Sequence, residues 1–388
     1  MRILFINSVY NYGSTGHIIA DLKSELKNKG NEVKVAFGRH IERADQDSII
    51  IGNRFDILFS GIGSRLFDNH GLMNKRATRK FIKEIDKQDF DIIHLHNLHG
   101  YYINYPILFK YLANKNIPVV WTLHDGWSMT GHAAYGGTFF SNGLNERKKN
   151  IKNKYPISFF ASRNKRNIKI KKKYMGMLAD CTIVTPSRWL MGKVDGSYLG
   201  KYNKQVIPNG IDLSIFRVKD KINIKKDGKK IILGVSNGWS KYKGFDDFIK
   251  LRSVLKNNFD IVLIGLDKNQ ISKLPKGIIG IERTDSLEQL VDWYNRADVF
   301  LNLTYEDNYP TTNLEALACG TKVITYDTGG SPEPISNRNG LVVNVGNIKA
   351  LIDAIYSING RVSKVDRSLN KYDMIKDYEL LFKRILKT

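Results

Sequence analysis

Cysteine is nearly missing from this chain. Cys181 and Cys319 are the only two among 388 residues, too few and too far apart for a zinc site or a disulfide framework. Both read as small buried hydrophobes in a reducing compartment. No apolar run reaches the ~20 residues that cross a bilayer, which argues against a helical span. The opening MRILFINSVY lacks the apolar length and small-residue cleavage site of a signal peptide, and reads as a short buried strand. No internal repeat or low-complexity tract stands out. Acidic residues are also scarce, 38 against 61 Lys and Arg, for a net charge of +23.

That excess is uneven. Between Glu146 and Lys173 stand twelve cations: Arg147, Lys148, Lys149, Lys152, Lys154, Arg163, Lys165, Arg166, Lys169, Lys171, Lys172 and Lys173. One reading is a solvated face. A sharper one is a patch on anionic lipid, each cation near the surface contributing ~1 kcal/mol. In that reading Phe159, Phe160, Arg166, Lys171, Lys172 and Lys173 touch the membrane. Nucleic acid is disfavoured as a partner, because no recognition motif accompanies the charge.

The length favours two domains. Apolar strand patterns alternate with helical ones from the first residue, which predicts α/β layers around parallel sheets. ILFINSV, the glycine loop NYGSTGH, the helical IIADLKSELKNKG and the strand EVKVAFG make one βαβ unit. Open α/β sheets bind ligands at the carboxyl edge where that loop lies. DIIHLHN, VVWTLHD and CTIVTPS continue the first series. A boundary falls near residues 208–212, and a second series begins at KIILGVS. The expected domains are 1–208 and 209–370, with a closing helix at 371–388 folding back on the first domain.

The most informative stretch is residues 305–334, YEDNYPTTNLEALACGTKVITYDTGGSPEP. Asp307 precedes Glu315 by eight positions, with a helix start between them at Pro310, Thr311 and Thr312. Exposed N–H groups at a helix N-terminus bind phosphate. A carboxylate one turn into the helix can hold ribose hydroxyls, and one in the preceding loop can hold a sugar. These parts together describe a nucleotide-sugar site.

With DNYPTTNLEALACGTKVITYDTGGSPE, VIPNGID and the pair Lys243-Gly244 in view, nearly the whole chain resembles the family 4 retaining glycosyltransferases of the GT-B fold. The branch it resembles most assembles exopolysaccharide and capsule repeat units. The resemblance implies an α/β architecture of two Rossmann-like domains with parallel sheets facing a cleft. It implies that Asp307 orients a hydroxyl of the donor sugar, where relatives carry glutamate. Glu315 then holds the ribose, and the N–H groups of Tyr309, Thr311 and Thr312 receive the diphosphate. Lys243 matches the lysine that pairs with the diphosphate. The arginine usual five residues earlier is replaced by Gly238, leaving Lys241 or Arg283 to supply a second charge.

In the first domain, Gly13 and Gly16 resemble the loop that approaches the leaving diphosphate, where glycine permits close backbone approach. His124 stands where relatives place a histidine against the donor sugar or acceptor, with Asp125 beside it. His94, His96 and His99 cluster at a strand end on the expected acceptor side, and His132 lies in a loop expected to shape the acceptor site. His94 and His96 alternate along a strand and share a face, so a metal is the competing reading. The resemblance implies no metal and no cofactor.

The expected reaction is retaining glycosyl transfer with Asp307, His124 and Lys243 as catalytic residues. The expected partners are a nucleotide diphosphate sugar, a glycan acceptor borne on a lipid, and an anionic membrane surface. The expected location is cytoplasmic, peripheral on the inner face of the plasma membrane. A protein or teichoic acid acceptor, or a nucleotide-sugar epimerase of similar architecture, are the rival readings.

Overall fold

Short aliphatic runs become parallel strands because a sheet covered by helices on both faces buries every strand position. The computed structural model of the chain describes residues 1–134, 157–159, 163–219, 228–362 and 364–387. It divides into two compact units, Met1–Pro208 with Met374–Thr388, and Asn209–Asp373.

The sheet of unit 1 contains, among the described residues, β1 (Arg2–Ile6), β2 (Glu32–Phe37), β3 (Ser48–Ile50), β4 (Ile92–Leu95), β5 (Val119–Thr122), β6 (Cys181–Thr185) and β7 (Asn203–Val206). Their order is β3-β2-β1-β4-β5-β6-β7, all parallel. Strands β4, β5 and β6 are buried at every position. The helices here are α1 (Gly13–Asn28), α2 (Arg54–Phe67), α3 (Lys75–Ile85), α4 (Tyr105–Lys115), α5 (Asn164–Met175) and α6 (Arg188–Asp195). Alternate residues of β1 feed opposite cores. Leu4 and Ile6 join one cluster with Trp121 and Phe109, while Ile3 and Phe5 join the other.

Unit 2 repeats the pattern with β8 (Lys230–Val235), β9 (Phe259–Ile264), β10 (Ile278–Ile281), β11 (Val299–Asn302), β12 (Val323–Tyr326) and β13 (Gly340–Val343). Their order is β10-β9-β8-β11-β12-β13, again all parallel. Its helices are α7 (Phe245–Val254), α8 (Lys268–Ile271), α9 (Leu287–Arg296), α10 (Thr311–Ala318) and α11 (Ile348–Ser357). The closing helix, α12 (Lys371–Leu386), buries Met374, Ile375, Tyr378, Leu381 and Phe382 in the Ile3–Phe5 cluster of unit 1. Strand order reverses between β1 and β4, and between β8 and β11. The loops leaving those strands therefore flank the crevice where such sheets bind ligands. Both cysteines are buried and free.

Candidate functional site

In unit 2 the site residues hang on the loop between β11 and α10. That loop is fastened from two sides. The Tyr305 N–H donates to Tyr242 O at 2.8 Å, joining it to the single turn Lys241–Lys243. Gly244 follows at φ +77°, where any Cβ would collide with the Leu303 carbonyl. On the other side the Gly330 N–H donates to Asp307 O at 3.0 Å, and Thr328 Oγ1 donates to Tyr305 O at 2.8 Å. Gly329 has φ +59°, and a Cβ there would strike the same Asp307 carbonyl. These contacts bring Lys243 Nζ to 2.8 Å from Asp307 Oδ2. Asp307 Oδ1 also accepts the Asn308 N–H at 2.9 Å.

Helix α10 starts after Pro310, which offers no side-chain cap. Its first N–H groups, at Thr311 and Thr312, have no carbonyl a turn before them within the helix. Tyr309 is braced by Asn209 Nδ2, which donates to its carbonyl at 3.2 Å. Glu315, half-buried one turn in, accepts the Tyr294 hydroxyl at 2.7 Å. Burial pushes the Glu315 carboxyl above its ordinary value, against the opposing hydrogen bonds from Tyr294 and Thr311. Lys241 and Arg283 are exposed. Among the described residues, neither makes a hydrogen bond or ion pair with Asp307 or Glu315. Gly238 sits at φ +88°, a backbone conformation an arginine would occupy only with strain.

In unit 1, Gly13 opens α1 at φ +63°. Gly16 lets the helix lie against its own entry loop, since a Cβ there would sit 3.2 Å from Asn11 N and 3.3 Å from Val9 Cγ2. His124 follows β5, with Nε2 2.9 Å from His96 Nδ1. Burial holds both imidazoles below the ordinary value, His124 at about 4. The two are neutral at pH 7, one donating to the other. His99 Nε2 stands 2.7 Å from Asp125 Oδ2, and Asp125 Oδ1 accepts the Trp127 N–H at 2.8 Å. Burial raises the Asp125 carboxyl, but His99 and that N–H outweigh it, leaving the group below its ordinary value.

Four expected assignments are corrected by burial; one is His96, 2% exposed, whose Nδ1 bonds His124 and which does not itself face an acceptor. His94 lies inside an all-buried strand and bonds Thr122 Oγ1 at 2.8 Å, which in turn bonds Tyr378 of α12 at 2.9 Å. It supports the core and does not reach an acceptor. His132 is likewise interior, with Nδ1 2.7 Å from the buried Asp68 carboxylate. Lys171 is 2% exposed. Its ammonium donates to Trp127 O at 2.5 Å and Thr130 O at 3.0 Å, and it stands over the Trp127 ring at 3.6 Å. Turned inward on α5, Lys171 cannot face a membrane. Arg166, Lys172 and Lys173 are exposed on the same helix. Phe159 is exposed. Phe160, and Arg147, Lys148, Lys149, Lys152 and Lys154 of the basic run, lie outside the described residues.

His94 and His96 do share a face, with ring centroids 4.1 Å apart. Among the described residues, no group of three His, Cys, Asp or Glu could hold a metal ion.

Several supporting residues carry no motif. Tyr294 holds Glu315 from a helix 21 residues away in sequence. Asn7, fully buried, donates to Val9 O at 2.7 Å and accepts the Asn97 N–H at 3.1 Å, tying the loops after β1 and β4. An asparagine directly after the first strand is the only advance sign of that role.

A family model described as Glycosyltransferase Family 4 matches residues 15–215, and one described as Glycosyl transferases group 1 matches residues 229–359. The putative colanic acid biosynthesis glycosyl transferase WcaC of Escherichia coli (strain K12) is 26% identical over 273 residues, 67% of this chain and 66% of that protein. The N,N'-diacetylbacillosaminyl-diphospho-undecaprenol alpha-1,3-N-acetylgalactosaminyltransferase of Campylobacter jejuni is 29% identical over 140 residues, 34% of this chain and 36% of that one. Among solved structures, sucrose-phosphate synthase from Thermosynechococcus elongatus superposes with TM-score 0.71 at 15% identity, covering 100% of this chain and 99% of its own. HepE of Anabaena, solved in complex with UDP, gives 0.68 at 12% identity, covering 99% of this chain and all of its own. These likenesses show the two-domain α/β architecture of the GT-B fold.

Proposed function

The chain belongs to glycosyltransferase family 4, and from that premise we propose that it moves a sugar from a nucleotide diphosphate sugar to a lipid-linked glycan during bacterial surface polysaccharide synthesis, with retention at the anomeric carbon. The observation that carries this reading is the arrangement in unit 2. Lys243 meets Asp307 on the loop that leads into an uncapped helix start, and Glu315 stands one turn into that helix.

The diphosphate binds the N–H groups at Thr311 and Thr312 and draws Lys243 from Asp307. That ion pair is partly exposed, 42% and 23% for its side chains, so its loss costs only ~0–1 kcal/mol. Asp307 is then available to a sugar hydroxyl. Glu315, steadied by Tyr294, holds the ribose. As the bond from the anomeric carbon to the phosphate oxygen breaks, Lys243 and the helix start stabilise the departing charge. The acceptor oxygen bonds the anomeric carbon on the same face, and its proton passes to the leaving phosphate. His124, neutral at pH 7, offers a hydrogen bond without charge, which suits sugar hydroxyls. No metal enters the scheme.

Two relatives support the acceptor class. One is named for colanic acid biosynthesis, and the other for a sugar-diphospho-undecaprenol substrate. With an acceptor held in the membrane, the proposed location is peripheral, on the inner face of the plasma membrane.

Glu315→Ala and Glu315→Gln test the proposal together. Both are expected to reduce transfer at least ~100-fold, while Gln keeps an acceptor for the Tyr294 hydroxyl and so preserves the melting temperature. Near-normal turnover in Glu315→Gln overturns the assignment. NMR of the product's anomeric proton reads retention directly.

A further inference from the structure

Helix α2 is built inside out. The residues it turns into the protein are Ser60, Gly61, Gly63 and Ser64, and a Cβ at Gly63 would collide with the Met73 sulfur. Facing outward are Phe55, Leu58, Phe59 and Ile62, at 70%, 56%, 62% and 43% exposure. Their spacing of three, four and seven residues puts them on one stripe. The helix is not frayed. Asn53 and Asp56 form a capping box at its start, and Asp68 closes it at φ 52°. Water is a poor medium for such a face, and apolar stripes of this kind mark interaction sites.

A second segment extends the stripe. The Phe159 N–H donates to Arg65 O at 2.7 Å, pinning that ring, 48% exposed, at the end of α2. Cations flank the stripe. Arg54 and Arg65 are exposed on α2, and Arg166 Nη1 donates to Asn69 Oδ1 at 2.9 Å just beyond it. The helix's one acid, Asp56, is turned back into the cap.

We infer that α2 with Phe159 is a monotopic docking surface for an anionic bilayer. Phe55, Phe59 and Ile62 enter the acyl boundary, and the arginines meet lipid phosphates. Interfacial helices bind through this combination of an apolar stripe and flanking cations. A two-fold pairing of this face with a second copy is less favourable, because it would gather Arg54 and Arg65 of both copies around one apolar seam with only the capped Asp56 of each to offset them. The inference rests on the membrane-borne acceptor proposed above for its purpose, whereas its geometry does not depend on it.

The test is co-sedimentation of the full chain with vesicles of phosphatidylcholine alone or mixed with phosphatidylglycerol. The unaltered protein is expected to bind the anionic vesicles and to be released by salt. F55S/F59S alters two exposed side chains, so melting temperature and the far-UV circular dichroism spectrum stay unchanged while vesicle affinity falls at least about tenfold. R54Q/R65Q is expected to flatten the salt dependence. Equal binding by F55S/F59S, or no binding by the unaltered protein, overturns the inference. So does a dimer in sedimentation velocity that F55S/F59S converts to monomer. The vesicle assay needs neither donor nor acceptor, so loss of the docking surface and loss of the proposed activity are read separately.

Discussion

The Tyr294 hydroxyl donates to Glu315 Oε2 at 2.7 Å, and burial lifts that carboxyl above its ordinary value in spite of it. A ribose hydroxyl needs the ionised carboxylate as acceptor, so donor binding weakens as pH falls through the raised value. Tyr294→Phe keeps the buried ring and removes the hydrogen bond, which to a charged group contributes ~1.5–3 kcal/mol. The expected outcome is a rise in donor KM of roughly tenfold or more. The acid limb of kcat/KM also moves to higher pH, because the carboxylate has lost a partner that favoured its ionised form. A pH–rate profile of the two proteins side by side reads both effects. Glu315 was legible from its spacing after Asp307. Tyr294 was not, because nothing in α9 marks which of its side chains turns toward α10.

At the level of elements, the loop after β11 acquires its shape from segments remote in sequence. Gly244 and Gly329 each occupy a left-handed conformation against a carbonyl of that loop, and each leaves Asp307 where Lys243 reaches it. Gly329→Ala introduces both a disfavoured φ and a collision with Asp307 O. It is expected to destabilise the chain by ~1–3 kcal/mol and to displace Asp307. Urea unfolding measures the first effect, and a fall in kcat with donor binding partly kept measures the second. Elements also explain the corrected residues. His94 sits in a strand covered on both faces, and Lys171 sits on the inward side of α5. A helix as rich in lysine as α5 gives no sign of which lysine turns inward. The outward stripe of α2 has the same origin, since RFDILFSGIGSRLF reads as an ordinary buried helix until its glycines and serines are seen packed inward.

Across the whole molecule, acid is the expected weakness. His70, His94, His96 and His124 are all held below 6.5, chiefly by burial. As pH falls from about 6.5 towards 4, the values for His124 unfolded and folded, the unfolded chain binds protons that the folded chain refuses. Stability therefore drops with pH through that window. A net charge already at +23 adds self-repulsion in the same direction. Melting temperature is expected to fall steadily from pH 7 to pH 5, and His124→Gln to reduce that slope. A flat profile would show that these imidazoles are not held neutral.

What the amino-acid sequence determined by itself was the class of the fold and the family. Both follow from local regularities: aliphatic runs of strand length alternating with helical patterns, and a thirty-residue stretch whose spacing is kept within one chain segment. The tertiary structure alone decided which polar residues face inward. Burial is a property of the assembled layers, and a histidine, a lysine or a phenylalanine looks the same in sequence on either side of a helix. It likewise decided that Lys243 meets Asp307 across 64 residues, that α12 closes the core of unit 1, and that α2 turns its phenylalanines to the outside.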